Sequence, residues 1–238
     1  MSTPSTSPDA RSAELAQALA DVRRRIGAAC AAAGRDAGDV TLVVVTKTHP
    51  AADVVRLAGL GVRDVGENRD QEAAAKHAEC ADLGLRWHFV GQLQTNKARS
   101  VAGYADLVHS VDRPALAAAL ARGAEHAGRV LDCLVQVSLD GDPARGGVPV
   151  ADLPALADAV AGAPALRLRG VMAVAPLGAD PADAFAVLPG LLERVRAVEP
   201  GADVLSAGMS GDLEAAVAAG ATHLRVGTAV LGRRPTLR

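Results

Sequence analysis

Two patterns of apolar positions alternate along the chain. Leu15, Leu19, Val22 and Ile26 recur at spacings of three and four within "ARSAELAQALADVRRRIGAACAAAG", and Gly34 follows. This predicts an amphipathic helix over 11–33 with a glycine stop. The next apolar run differs in kind: "VTLVVVTK" (40–47) is continuous and β-branched, as in a strand covered on both faces. "AADVVRLAGLG" then returns to helical spacing. The couplet recurs, with further strands predicted at 62–68, 86–92, 105–112, 129–139, 166–175, 203–210 and 222–230, which makes eight. Helical segments lie between them, the longest being "PADAFAVLPGLLERVRAV".

Eight strands alternating with helices meet the requirement of a (β/α)8 TIM barrel, an α/β fold. A doubly wound open sheet shares the alternation, but no G-x-G-x-x-G follows the first strand. Only "LGRRPTLR" follows the eighth predicted strand, so the helix over 11–33 is expected as an extra N-terminal element that covers the gap. Residues 1–9, rich in Ser, Thr and Pro, are expected to form a disordered tail, and 10–238 a single domain.

Composition narrows the function classes. Half of the 238 residues are apolar, enough for a full core, and the formal charge is −2 with acids and bases interspersed. That balance gives no basic footprint for nucleic acid and no polybasic membrane patch. "MSTPSTSPDA" lacks a basic start followed by an apolar stretch, and nowhere do 18 uncharged apolar residues run together. Cys30, Cys80 and Cys133 are odd in number and far apart, which gives no disulfide framework. A cytoplasmic protein is expected, and a monomer, since no exposed apolar seam stands out. The six histidines show no H-x-H, H-x-x-x-H or H-E-x-x-H spacing, so no metal site is expected.

In a barrel the chemistry is built at the carboxyl ends of the strands. The first strand ends at Lys47, one of three lysines among 25 basic residues. A partly desolvated lysine can lose its proton and attack an aldehyde to form a Schiff base, which an arginine cannot do. The plainer alternative is a lysine whose stem lies on apolar surface with its head in water. "SAGMSGDLEAAVAAG" (206–220) turns from strand to helix through Ser210 and Gly211, an anion seat unless Ser210 or Asp212 simply caps the helix. Gly227 and Thr228 follow the eighth strand, where barrels commonly place further phosphate donors. Arg225 lies in that otherwise apolar strand and needs a partner: a ring nitrogen of a cofactor, or a carboxylate elsewhere in the barrel. "RWHFVGQLQTNK" (86–97) is a polar cluster, with His88 read as a structural histidine. Glu67 and Asp112 are single carboxylates that nothing pairs.

The motifs "VTKTHP", "VGENRDQEAAAK", "WHFVGQLQTNK", "HSVDR", "LRGVMAVAP" and "GMSGDLEAAVAAGATHLRVGTAVLG" are together similar to the barrel of alanine racemases. More closely, residues 10 to 234 resemble the single-domain pyridoxal phosphate homeostasis protein family. The resemblance implies an alanine-racemase N-terminal-domain-like barrel with pyridoxal 5′-phosphate on Lys47. It also implies phosphate contacts from Ser210, Gly227 and Thr228, Arg225 facing the pyridine nitrogen, and Asn68 and Met209 close to the cofactor. Two positions depart from the family pattern: Arg69 stands where many relatives have tyrosine, and Arg145-Gly146-Gly147 where a lysine-containing glycine loop is common.

An arginine opposite the pyridine nitrogen disfavours its protonation and makes the ring a weak electron sink. Racemases of the similar fold add a β-rich second domain and a tyrosine base, whereas the one tyrosine here, Tyr104, lies before the fourth strand. The first expectation is therefore a pyridoxal-phosphate-binding protein of vitamin B6 and amino-acid homeostasis, with no catalytic residue assigned and apo-enzymes as possible recipients of the cofactor. A small pyridoxal-phosphate-dependent racemase or lyase is the second. A cofactor-free barrel enzyme acting on a phosphorylated metabolite through Lys47 is the third.

Overall fold

β-Branched and apolar residues that are buried on both faces make the strands. Val43 and Val44 are fully buried, as a continuous apolar run between a barrel interior and a helical layer must be. The computed structural model describes residues 8–232. Its strands are β1 (Thr41–Val45), β2 (Asp64–Glu67), β3 (Arg86–Phe89), β4 (Leu107–Val111), β5 (Leu131–Ser138), the two-residue β6 (Val148–Pro149), β7 (Leu166–Met172), β8 (Val204–Ser206) and β9 (His223–Val226). All pairings are parallel. β1 lies between β2 and β9, with Val44 opposite Val65 and Val43 opposite Arg225, and the β4–β5 pairing completes the ring. β6 pairs only with the end of β5, so eight strands close the barrel.

The helices are α1 (Pro8–Ala32), α2 (Ala51–Gly59), α3 (Asp70–Glu79), α4 (Ala98–Tyr104), α5 (Pro114–His126), α6 (Leu153–Ala161), α7 (Pro181–Phe185), α8 (Leu188–Arg196), α9 (Leu213–Ala218) and α10 (Thr228–Leu231). None of the described helices is long and apolar enough to cross a membrane. α1 buries Leu15, Leu19, Val22 and Ile26, as their spacing predicts, and packs on α2, α9 and α10. Its polar edge is tied to the same elements. Arg11 donates to Asp53 Oδ2 (2.9 Å) and to the Leu231 carbonyl (3.1 Å), and Arg25 donates to Glu214 Oε1 (2.8 Å). α1 thus covers the side of the barrel beside β9.

Side chains alternate along the strands. In β9, Leu224 and Val226 join the large apolar cluster beneath the helices, while His223 and Arg225 are buried among polar groups of other strands. A smaller cluster of Leu107, Leu134, Met172 and Val204 is separate from the large one.

Several predicted boundaries shift. The helix expected over 181–198 is two helices, because α8 restarts at Leu188 with Pro189 in its first turn, where the missing N–H costs nothing. The strand expected over 222–230 ends at Val226, and Thr228–Leu231 forms a helical turn. Residues 1–7 of the expected tail lie outside the described residues, as do 233–238, and α1 already begins at Pro8.

Candidate functional site

A cavity of about 420 Å³ opens at the carboxyl ends of the strands, and Lys47, Asn68, Met209, Ser210, Arg225, Gly227 and Thr228 all line it. Val45, Val90, Met172 and Val174 supply apolar wall. Lys47 reaches it from the end of β1 and Asn68 from the end of β2. Gly91, after β3, makes room for Asn68: a Cβ there would lie 2.3 Å from the Asn68 carbonyl oxygen, well inside contact distance.

The two turns expected to form an anion seat meet. The hydroxyl of Ser210 accepts hydrogen bonds from Thr228 Oγ1 (3.1 Å) and the Ala229 N–H (3.2 Å). The loop after β8 is thereby joined to the first turn of α10. Neither Ser210 nor Asp212 caps α9; the Asp212 carboxylate instead accepts from the Met209 N–H at 2.5 Å. Arg25 of α1 holds the Ser210 carbonyl with two N–H donors, each at 3.1 Å. At Gly227 a Cβ would press on the Val45 carbonyl oxygen at 3.1 Å, so a larger residue would push this turn off β1.

Arg225 forms the floor. Its guanidinium donates to Ser206 Oγ (2.5 Å) and to the Ala173 carbonyl (2.9 Å), and among the described residues no carboxylate pairs with it. Burial pushes its pKa down to about 10. Behind it runs a chain of buried polar groups. Ser206 Oγ is 2.9 Å from His109 Nδ1, His109 Nε2 is 2.9 Å from His88 Nδ1, and His88 Nε2 is 2.9 Å from Asp64 Oδ1. Burial works against the Asp64 carboxylate, yet His88, Arg86 and His223 hold its pKa below the ordinary range, so it accepts. His109 is pushed well below the usual imidazole value by burial and by the neighbouring His88, Arg225 and His223. One directional arrangement of protons satisfies every contact. Arg225 donates to Ser206, Ser206 to His109, His109 to His88, and His88 to Asp64.

Sequence reading missed this chain. His88 was expected to be structural, which agrees with its bonds to Asp64 and His109, but no motif announced its partners. The available signal was a set of histidines alternating with apolar residues in three strands, "RWHF", "LVHSV" and "HLRV". Among the described residues no group of histidine, cysteine and carboxylate side chains is arranged to hold a metal. Glu67 pairs with Lys76 at 2.7 Å, a partner that sequence reading did not supply, and Asp112 pairs with its neighbour Arg113. Tyr104 does not line the cavity; its hydroxyl is buried, and burial pushes its pKa up.

The two departures also have places. Arg145 donates to the Ala175 carbonyl at 2.5 Å and pairs with Asp140 at 3.2 Å, which pins the glycine loop against the segment after β7. Gly147, at φ 106°, passes so close to β5 that a Cβ would lie 2.6 Å from the Ser138 nitrogen. Arg69 lines a second, larger cavity of about 850 Å³ with Gln92, Gln94, Lys97 and Arg113, adjoining the first at Asn68.

An eight-stranded parallel barrel with an amine, a guanidinium and a hydroxyl-lined turn around one cavity is a barrel of the alanine-racemase type. The alanine racemase N-terminal domain family matches residues 18–235. Alanine racemase from Corynebacterium glutamicum shares the fold at a TM-score of 0.69 and 18% identity, over 93% of this chain and 63% of that one. The chain belongs to the pyridoxal phosphate homeostasis protein family. It is 48% identical to the member from Mycobacterium tuberculosis over 95% of both chains, and 38% identical to that from Escherichia coli over 93% of this chain and 97% of the other. PipY of Synechococcus elongatus, solved with pyridoxal phosphate bound, is 39% identical with a TM-score of 0.80, covering 92% of this chain and 100% of PipY.

Proposed function

We propose that this protein binds pyridoxal 5′-phosphate on Lys47 and serves vitamin B6 and amino-acid homeostasis, with little or no turnover. The carrying observation is that one cavity is lined by the Lys47 amine, the Arg225 guanidinium and the joined Ser210–Thr228 turn. That donor set fits an aldehyde, an aza-aromatic ring and a phosphate, and the PipY structure with the cofactor bound supports the same ligand. When bound, pyridoxal phosphate supplies an aldehyde that condenses reversibly with an amine to form a Schiff base.

The chain's own residues then have separate tasks. Ser210, Gly227 and Thr228 hold the phosphate through hydroxyl and backbone N–H donors, and Arg25 steadies their loop from α1. Arg225, held by its bonds to Ser206 and Ala173, would donate toward the ring nitrogen and, as a cation, disfavour a proton there. Asn68 and Met209 line the same cavity and would lie close to the ring. Among the described residues lining the cavity, Lys47 and Arg225 are the only ones with titratable side chains. Racemisation needs proton-transfer groups on opposite faces of a substrate, and this lining offers one amine. We therefore favour a cytoplasmic, monomeric carrier that passes its cofactor to apo-enzymes.

The test is the visible spectrum of the purified protein loaded with pyridoxal phosphate, followed by borohydride reduction and peptide mapping. A Schiff-base band and a reduced adduct on Lys47 are expected, and both should be absent in Lys47→Ala. A protein that stays colourless would instead support a barrel acting on a phosphorylated metabolite. Racemisation or elimination of common amino acids at about 1 per second or faster would refute the carrier reading.

A further inference from the structure

The residues on either side of Lys47 are fastened by one buried ionic cluster. Lys76, on α3, has a side chain only 7% exposed and donates to the Thr46 carbonyl (2.8 Å), Glu67 Oε1 (2.7 Å) and Glu72 Oε1 (2.6 Å). Glu67 Oε1 also accepts from the Thr46 hydroxyl at 2.6 Å. Glu72 Oε1 accepts from the N–H of Thr48 at 2.5 Å. Thr46 is thus held by its carbonyl and hydroxyl, and Thr48 by its amide. Lys47 lies between.

The arrangement costs something in two places. Thr48 has φ 67°, the one left-handed conformation among described non-glycine residues, which disfavours a β-branched side chain by about 1–3 kcal/mol. Glu67 is buried with its Oε2 lacking a hydrogen-bond partner, and burial pushes its pKa up against the bonds from Lys76 and Thr46. Apolar packing would hold α3 to the barrel at less cost, since buried ion pairs are weak stabilisers. What apolar packing could not do is fix two adjacent peptide units in a chosen orientation.

We propose that Lys76, Glu67 and Glu72 are positioning residues that aim the Lys47 amine. The inference rests on the reading of Lys47 as the cofactor lysine. For the Schiff base to form, the neutral Lys47 nitrogen adds to the aldehyde carbon, the carbonyl oxygen leaves as water, and a C=N bond results. Four rotatable bonds separate that nitrogen from its backbone, so the direction of the Cα–Cβ bond decides whether the amine arrives in line. The cluster sets that direction. It also accounts for a lysine at position 76 in a chain whose basic residues are almost all arginine. Three acceptors crowd around one atom, which suits a compact ammonium with three donors and not a planar fork.

Pyridoxamine 5′-phosphate carries the same ring and phosphate but no aldehyde, so it separates binding from condensation. Its affinity and the rate of Schiff-base formation from pyridoxal phosphate should be measured for wild type, Lys76→Met, Lys76→Arg and Glu72→Gln, with borohydride trapping on Lys47. For Lys76→Met we expect pyridoxamine phosphate affinity within about twofold of wild type and condensation slowed about 100-fold. Lys76→Arg should not restore the rate, and Glu72→Gln should slow it about tenfold. Wild-type condensation rates in folded Lys76→Met and Glu72→Gln would overturn the proposal. So would a parallel loss of pyridoxamine phosphate affinity, which marks general disruption of the site. If Lys76→Met does not fold, the partly exposed Glu72 decides alone through Glu72→Gln. Wild-type protein that takes up neither compound would overturn the cofactor reading itself, and this proposal with it.

Discussion

His88 Nδ1 lies 2.9 Å from His109 Nε2, a contact between two buried rings in which one nitrogen donates and the other accepts. The Asp64 carboxylate at the far end accepts and Arg225 at the near end donates, so the intervening groups all point their protons away from the cavity.

Acid should therefore destabilise the fold. His223, beside these rings, is pushed down to about 4 by burial and by the neighbouring His88, and His109 lies well below its ordinary value. Between pH 6.5 and 4 the unfolded chain binds more protons than the native one, so stability falls as pH falls through that window. It is fully present above 6.5. His223 alone accounts for about 3 kcal/mol across the window. Urea midpoints measured at several pH values from 7.5 to 4.5 should fall steadily, and a flat profile would contradict neutral burial of His109 and His223.

Ser206→Ala removes the link between Arg225 and His109. It leaves a buried donor and a buried acceptor unpaired, at about 1–3 kcal/mol for each group. Thermal melting should report the loss. If Arg225 faces the cofactor ring as proposed, the visible band of the loaded protein should shift as well, because the guanidinium has lost a fixed partner.

Ser210→Ala and Thr228→Val break the hydrogen bond between the two turns of the anion seat. Each substitution should weaken pyridoxal phosphate binding about tenfold, equivalent to about 1.4 kcal/mol. Binding of pyridoxal, which has no phosphate, should be unchanged. Titration of both compounds against both variants checks this, and equal losses for the two would place the phosphate elsewhere.

Leu19→Ala deletes a buried contact of α1, whose Leu19 is 2% exposed. The expected cost is about 2–5 kcal/mol. Denaturant unfolding should show it, with cofactor affinity preserved at concentrations where the variant remains folded. A negligible change in stability would mean that α1 does not seal the barrel.

What could be read from the sequence was what lies close together in it. "VTLVVVTK" shows a buried strand with an amine at its end in eight residues, and "GMSGD" and "RVGT" each show their turn in four or five. Repetition of the couplet then counted the barrel. Asp64, His88, His109, Ser206 and Arg225 come from five strands, one residue from each, and only the closed register brings them into line. The Lys76 cluster was hidden in another way. Its residues lie inside the quoted motifs, but their acceptors include a backbone carbonyl and a backbone amide that no residue pattern displays. The break between α7 and α8 was legible in Pro189 and was overridden by the strong apolar spacing around it.

Because α1 closes the barrel against α9 and α10, the first of the described helices waits for the last. Arg11 meets the carbonyl of Leu231 across 220 positions of sequence, and Arg25 meets Glu214 across 189. Contacts of such separation form late, after the entropy of a long loop has been overcome. Until β9 and the helices beside it are in place, Leu15, Leu19, Val22 and Ile26 have α2 but not α9 or α10 to pack on. The apolar stripe of α1 is therefore fully covered only when β9 and its neighbouring helices are in place, which makes the seal of the barrel one of its last contacts to form.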